Sequence, residues 1–578
     1  MIRQTIKIFL ITFSTLYTQQ ISKITIAGNT VFPSAKYEQV ISVGAGNNFT
    51  PGIIDSINNR ISFFLFSEGY YNHLVKIDTA GDLKNTTFQI NLAEGTPTLV
   101  RKITQSTLSR NDSLLFIKTF SGLEGQIHSA SNISFYSSQL ISTFENTGFP
   151  FASVQITNQQ FDFDGNTHQV SFDVIVDKGP LSKFDKIIVE GNERTSATII
   201  ERELRLSHSE IYNQEKLNDI PYKLNKLGFF RPLEPPDFFL DNQGKGVLRI
   251  KVDEINTNNF DGIIGYVPGT QSESGFFTGF VNINMRNLFG TGRAILIKWE
   301  QENRESQELE LNYLEPWFLD YPINISVGLY QRKQDSTFVQ RNINSDISYL
   351  INNDISASVI FNSESTIPTE NALVTNNVFN STLFTSGASI KIDTRDDIFA
   401  PTKGIKFNNT YKYVSKSIDA SSLANPNIPL ENTLQKFEID FESYFSLWTS
   451  HILSLGLHGR EMKGSLFEFS DLYSLGGTKS LRGYKEKQFR GNRIFWSNLE
   501  YRLHFDQRSF MFAFIDSGYF LRREEPLLDI IKQEAFKIGY GFGLSLETAI
   551  GILKVSYALG EGDSMSNGKI HFGIANEF

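Results

Sequence analysis

The chain has 578 residues, including 50 Phe and 21 Tyr, with no Cys and a formal net charge of −9. That length exceeds what one soluble core organises. An acidic balance with a pI near 5.6 excludes the electrostatic footprint of a nucleic-acid binder, and the missing cysteine excludes disulfides, thiolate metal sites, a cysteine nucleophile and a lipid-modified N-terminal Cys. Hydrophobic residues make up 40% of the chain while mean hydropathy is −0.22. Apolar and polar positions are therefore interleaved, which suits a barrel alternating lipid-facing and lumen-facing residues better than a helical membrane protein.

Residues 1–19 carry Arg3 and Lys7 around an apolar run from Ile8 to Tyr17, the pattern of a secretory signal peptide with cleavage expected near Thr18. Beyond it, no apolar run of about 18 residues could cross a bilayer as a helix. A membrane-spanning structure would have to be a closed barrel, because lipid cannot satisfy an open backbone edge.

Next comes a unit that recurs three times, about every eighty residues. Each copy opens on an alternating strand, at Ile21 to Ala27, Val100 to Ile103 and Phe184 to Val189, and the first and third run on into the turn signals Gly28-Asn29 and Gly191-Asn192. Helical spacing follows, with Ile54, Ile57, Ile61 and Phe64 in the first copy and Leu217, Ile220, Leu224 and Leu227 in the third. Pro221 interrupts the latter. These segments end at Gly69-Tyr70, Gly148-Phe149 and Gly228-Phe229, where glycine past the helix is the expected cap. A closing strand completes each copy, at Phe88 to Leu92, Val170 to Val176 and Val247 to Val252. The pattern predicts small α+β domains at 20–96, 97–180 and 181–256, with helices over one sheet face and a strand edge open to β-augmentation.

From 257 to 578 the helical period vanishes. Alternating segments of about ten residues, separated by Gly, Asn, Asp and Pro, predict about sixteen antiparallel strands of an all-β transmembrane barrel. Gly262 and Gly265 fall in the first strand and Gly573 in the last, where glycine weakens pairing and marks a weak seam. The final strand alternates Ile570, Phe572 and Ile574 and ends on Phe578, with Asn576 where an apolar residue is expected. Polar stretches at 362–380 and 415–432 read as outer loops.

The glycine-rich stretch Ser474-Leu475-Gly476-Gly477-Thr478-Lys479-Ser480-Leu481-Arg482-Gly483-Tyr484 lies between two strands. If it folds into the lumen, the Arg482 guanidinium needs carboxylates, and Glu500 and Asp516 stand on the two strands that follow, with Gly518, two residues further on, expected as a third acceptor for the loop. The cluster Asp393, Asp396, Asp397 could hold a cation, but Arg395 and Lys403 nearby favour a turn with internal ion pairs. No zinc-hydrolase, nucleophile-elbow or phosphate-loop motif is present, so neither a catalytic site nor a cofactor is expected.

Together the repeats and the Leu481-Arg482-Gly483-Tyr484 motif resemble the POTRA-plus-barrel superfamily of outer-membrane assembly factors, the bacterial surface antigen family to which BamA and TamA belong. Three shorter stretches resemble it too: Asn287 to Arg293, Glu315-Pro316-Trp317-Phe318, and Asp393 to Asp397 followed by Pro401-Thr402-Lys403-Gly404. Three repeats resemble TamA, since BamA usually carries five and two-partner secretion transporters two. The resemblance implies a lumen loop whose arginine is Arg482 and whose acceptors are Glu500 and Asp516. It also implies periplasmic domains that capture unfolded outer-membrane proteins, insertion through a barrel seam, and a large TamB-like partner anchored in the inner membrane. The alternatives are an outer-membrane channel, an inter-membrane lipid-transport component and a surface-binding protein.

Overall fold

The computed structural model describes residues 20–575 apart from 51, 82–84, 106–107, 165–166, 232, 269–273, 302, 335–336, 370–377, 421–426 and 549–550. The signal peptide, Asn576 and Phe578 lie outside the described residues. The described residues form two compact units: one comprises 20–185 with Ser209–Lys216 and Asn242–Gly246, the other Lys186–His208, Leu217–Asp241 and 247–575.

In the first unit, strand Gln20–Ala27, helices Ser34–Ile41 and Ile53–Ser67, and strands Leu74–Gly81 and Asn85–Ala93 form the first repeat. Its sheet places the last strand in the centre, parallel to the first and antiparallel to the second. The helical stripe is core: Ile57, Ile61, Phe64 and Leu65 pack with Ile21, Phe88, Ile90 and Leu92. The second repeat copies the arrangement with strands Thr98–Gln105, Ser153–Asp164 and Thr167–Asp177 and helices Arg110–Phe120 and Ala130–Glu145. Gly69 and Gly148 end their helices at φ +88° and +108°, where a side chain would be strained.

The first and third repeats share a carboxylate device. Gly28, at φ +83°, swings the chain across Glu94, which is 2% exposed and accepts from the N–H groups of Thr30 (2.6 Å), Val31 (2.6 Å) and Phe32 (3.0 Å) and from the Tyr37 hydroxyl (2.6 Å). Glu254 takes the Arg194 and Thr195 N–H groups in the same way beside Gly191. In the second repeat the corresponding position is Lys178, which instead pairs with Asp112 at 2.9 Å.

In the third repeat, strands Lys186–Glu190, Asp237–Leu240 and Gly246–Lys251 form the sheet. Its helical stripe is two short helices, Gln214–Asn218 and Ile220–Asn225, because Pro221 starts the second one rather than sitting inside a longer one.

The sixteen expected strands are present and form one antiparallel sheet in chain order. They are β1 Asn258–Val267, β2 Phe276–Leu288, β3 Arg293–Gln301, β4 Gln307–Glu315, β5 Ile323–Gln334, β6 Phe338–Leu350, β7 Ile355–Pro368, β8 Ser381–Asp393, β9 Gly404–Ile418, β10 Glu431–Trp448, β11 His451–Lys463, β12 Arg493–His504, β13 Phe510–Arg522, β14 Gln533–Thr548, β15 Gly551–Gly560 and β16 Lys569–Ala575. Several exceed ten residues, so Asn362–Pro368, Ser415–Ile418 and Glu431–Asn432, read above as outer loops, are strand. Alternation sets the two faces: Met511 and Ile515 of β13 are exposed outward, while Phe510, Phe512 and Phe514 on the opposite face are buried. On β14, Phe536, Ile538, Tyr540 and Phe542 point out and Gly539, Gly541 and Gly543 form an inward glycine column.

Candidate functional site: the lumen loop

The β11–β12 connection, residues 464–492, carries a small hairpin of Tyr473–Leu475 with Phe489–Gly491. Its base is pinned by Lys416 of β9, fully buried, whose ammonium lies 2.7 Å from Glu468 and 2.8 Å from Asp471. Leu475 and Leu481 are wholly buried and pack with Tyr484, Ile494 and Trp496. Apolar burial thus drives the tip inward, and the polar groups set where it stops.

Arg482, 4% exposed, carries that docking. Its Nε and Nη2 donate to the two oxygens of Asp516 on β13 at 2.7 Å each, its backbone N–H donates to the same carboxylate at 3.0 Å, and Nη1 donates to Glu500 on β12 at 2.6 Å. The guanidinium also lies 3.6 Å from the Phe514 ring centroid. A planar five-donor fork between two carboxylates and an aromatic face is a geometry that lysine cannot reproduce. Glu500 is held in turn by Arg502 at 2.7 Å and Lys554 of β15 at 3.4 Å.

Neighbouring residues fix the rest of the tip. Gly483 adopts φ +91°, and a Cβ there would stand 2.6 Å from the Leu559 backbone of β15. Its N–H donates to Nε2 of His571 on β16 at 3.2 Å, and Nδ1 of the same ring lies 3.1 Å from the Thr478 hydroxyl. The Tyr484 hydroxyl donates to the Ile538 carbonyl of β14 and accepts from the Glu561 N–H, both at 3.0 Å. Gly518 corrects an expectation: it serves as space rather than acceptor, since a Cβ there would meet Leu481 at 3.0 Å and Leu475 at 3.1 Å. A Cβ on Gly539 would stand 1.9 Å from the Arg482 carbonyl oxygen. Gly539→Ala is therefore expected to displace the loop while the barrel still forms, read as faster protease cleavage between Gly476 and Arg490 in the purified chain.

Sequence reasoning named Arg482, Glu500 and Asp516, and the structure brings these three together. It missed His571, Lys554 and the glycine column. The alternation Gly539-x-Gly541-x-Gly543 was the available signal, because three inward glycines in one strand mark a close backbone approach. The seam residues lie at the two ends of the sheet: Gly262 and Gly265 of β1 pair with Val281 and Thr278 of β2, and Gly573 of β16 pairs with Lys554 of β15. Ile570 and Phe572 are 74% and 64% exposed; Ile574 pairs with Leu553 through its backbone. Among the described residues β1 and β16 are not paired with each other.

The three shorter stretches grip the third repeat. Asn287 donates from Nδ2 to the Thr195 hydroxyl at 2.7 Å, and the Gly290 carbonyl accepts from the Ser196 N–H at 3.0 Å. The Trp317 indole N–H donates to Glu203 at 2.7 Å, and the guanidinium groups of Arg202 and Arg205 lie 5.7 and 5.4 Å from its ring centroid. In the acidic stretch the carboxylates are engaged by protein donors: Asp393 by Arg395 (2.9 Å), Asp396 by the Thr402 N–H (2.9 Å), Asp397 by the Phe399 and Ala400 N–H groups (2.7 and 2.8 Å). This is the internally bonded turn that the nearby cations favoured, although Lys403 contributes its N–H rather than its charge.

Residues 287–578, just over half of the chain, match the Omp85 superfamily domain, and residues 19–95 and 182–254 match the surface antigen variable number repeat, POTRA. Those two matches are the repeats with the carboxylate device. The outer membrane protein assembly factor BamA of Nitratidesulfovibrio vulgaris is 21% identical over 480 residues, covering 75% of this chain and 55% of the relative. BamA of Neisseria meningitidis serogroup B is 20% identical over 333 residues, covering 55% and 40%. The chain spans about half the length of the curated relatives it matches. Among solved structures, CdiB from Escherichia coli is similar with a TM-score of 0.49 at 11% identity, covering 91% of this chain and 99% of that one. BamA from Haemophilus ducreyi lacking POTRA domains 1-3 is similar with a TM-score of 0.47 at 17% identity, covering 82% and 98%. A POTRA-bearing chain with a sixteen-stranded barrel whose C-terminal half matches that family belongs to the Omp85 superfamily, its barrel in the outer membrane and its repeats in the periplasm.

Proposed function

We propose that the chain is a non-catalytic assembly or translocation factor for outer-membrane proteins, one that takes unfolded clients on periplasmic repeats at 20–96, 97–180 and 181–256 and inserts them through the seam between β1 and β16. The observation that carries this reading is the way the lumen loop braces one side of the seam. Arg482 binds β12 and β13, Tyr484 reaches β14, and Gly483 lies against β15 and bonds β16 through His571. Strands β12 to β16 are thereby tied into one block, while β1, with Gly262 and Gly265, hangs on β2 alone among the described residues. An edge with unpaired backbone groups is a template for a client strand. A TamB-like partner anchored in the inner membrane fits the count of three repeats.

Because the chain has no native cysteine, the seam can be locked selectively. Single cysteines at Tyr266 of β1 and Ile570 of β16, both exposed, are bridged by a short thiol cross-linker in cells depleted of the wild-type protein. Loss of particular barrel proteins from the outer membrane on bridging, and recovery on reduction, is the expected result. An unchanged protein profile in both states moves the function to an outer-membrane channel or to lipid transport between the membranes.

A further inference from the structure

The β8–β9 connection, Thr394–Lys403, does more than turn the chain. Arg395 is 3% exposed, chelates Asp393, and donates from Nη1 to the Ile398 carbonyl at 3.2 Å. With the Asp396 and Asp397 turns, this holds the segment in a self-bonded shape that presents Ala400. Ala400 is 1% exposed and packs with Phe510, Phe512 and Phe514 of β13 and Ala558 of β15. Strands β13 and β15 stand four and six places along the sheet from β9, and all of these side chains face inward, so the contact runs across the barrel interior. From the β12–β13 turn, Arg508, 4% exposed, closes on Asp397 at 2.8 Å and lies 5.3 Å from the Phe399 ring centroid.

Above and below this segment lie the two functional parts. The rings of Phe510, Phe512 and Phe514 run up β13 with centroids 6.0 and 6.1 Å apart, and the uppermost carries the Arg482 guanidinium. Beneath, a Cβ on Gly228 of the third repeat would stand 3.0 Å from Ile398 and 3.7 Å from Phe399, and Lys226 donates to the Asp393 carbonyl and to Asp354.

We propose that Thr394–Lys403 is an inner floor of the barrel, a second plug latched by Arg508 and Asp397, which closes the periplasmic end of the lumen and seats the third repeat under the aromatic column that carries Arg482. Arg508 and Asp397 are then positioning residues for the lumen loop. The proposal rests on the assembly reading only for its purpose; closure itself is independent of any client.

The test uses the full chain, purified and placed in a planar bilayer, with Asp397→Cys and Arg508→Cys combined. A short bis-thiosulfonate linker replaces the reach of the arginine and is cleaved by reductant. Reduced protein is expected to conduct ions several-fold more than wild type and to expose the lumen loop to protease; bridging returns both readouts to wild type in the same folded molecules. Equal conductance in the bridged and reduced forms overturns the floor. Conductance that responds to bridging, in cells whose outer-membrane profile does not, keeps the floor and removes the assembly reading.

Discussion

Replacing Arg482 by alanine is expected to release the lumen loop and abolish client assembly while leaving the barrel in the membrane. Breaking a buried ion pair by removing one partner typically costs about 3–5 kcal/mol, because the charge left behind stays desolvated. The two acceptors are stranded unequally. Glu500 keeps Arg502 at 2.7 Å and Lys554 at 3.4 Å. Asp516 is fully buried, and among the described residues Arg482 is its one cationic partner. Most of the penalty therefore falls on Asp516, and adding Asp516→Asn to Arg482→Ala should recover part of the loop's protease resistance. Arg482→Lys keeps the charge but loses the bidentate fork and the contact with Phe514, so it should fall between the two. The sheet, bonded along sixteen strands, does not depend on the loop. The readouts are proteolysis of 476–490 in purified protein and the outer-membrane protein profile in depleted cells. If the double variant is no more resistant than Arg482→Ala, the stranded-carboxylate account is wrong.

Much of this architecture was legible because it is periodic. Repeats announce themselves by recurrence, and barrel strands by alternation. Arg482 with Glu500 and Asp516 was legible because a loop cation and acids on the next two strands are close along the chain. Lys554, His571 and Arg508 were not: their partners lie 54, 88 and 111 residues away, and no local pattern encodes which strands face each other across a lumen. The short stretches around Asn287, Trp317 and Asp393 were recognisable as motifs, yet their shared task, gripping the third repeat, depends on a docking that no single segment specifies. Strand lengths were underestimated where polar residues continue the ladder at the outer ends, as in the 18 residues of β10. Alternation is visible only while one face meets lipid.

Glu94→Gln is expected to unlock the first repeat by about 3 kcal/mol, and to remove a pH dependence that the wild type should show. Burial alone would raise the Glu94 carboxyl; the Tyr37 hydroxyl and the N–H groups of Phe32, Thr30 and Val31 outweigh it and hold the group down from its ordinary 4.5 to about 2. A depressed carboxylate stabilises the fold above its unfolded value, so the contribution is complete above about pH 5 and drains away as pH falls towards 2. Glutamine has the same shape but offers one acceptor oxygen and an amide that points donors at donors, so the N–H groups of Thr30 to Phe32 lose partners they cannot replace while buried. In the full chain, hydrogen exchange at these three amides should accelerate about a hundredfold. In the second repeat, where Lys178 stands at this position and pairs with Asp112, exchange should not change. Undiminished protection at Val31 in the variant would mean that the chain turn at Gly28, rather than the carboxylate, holds this corner of the domain closed.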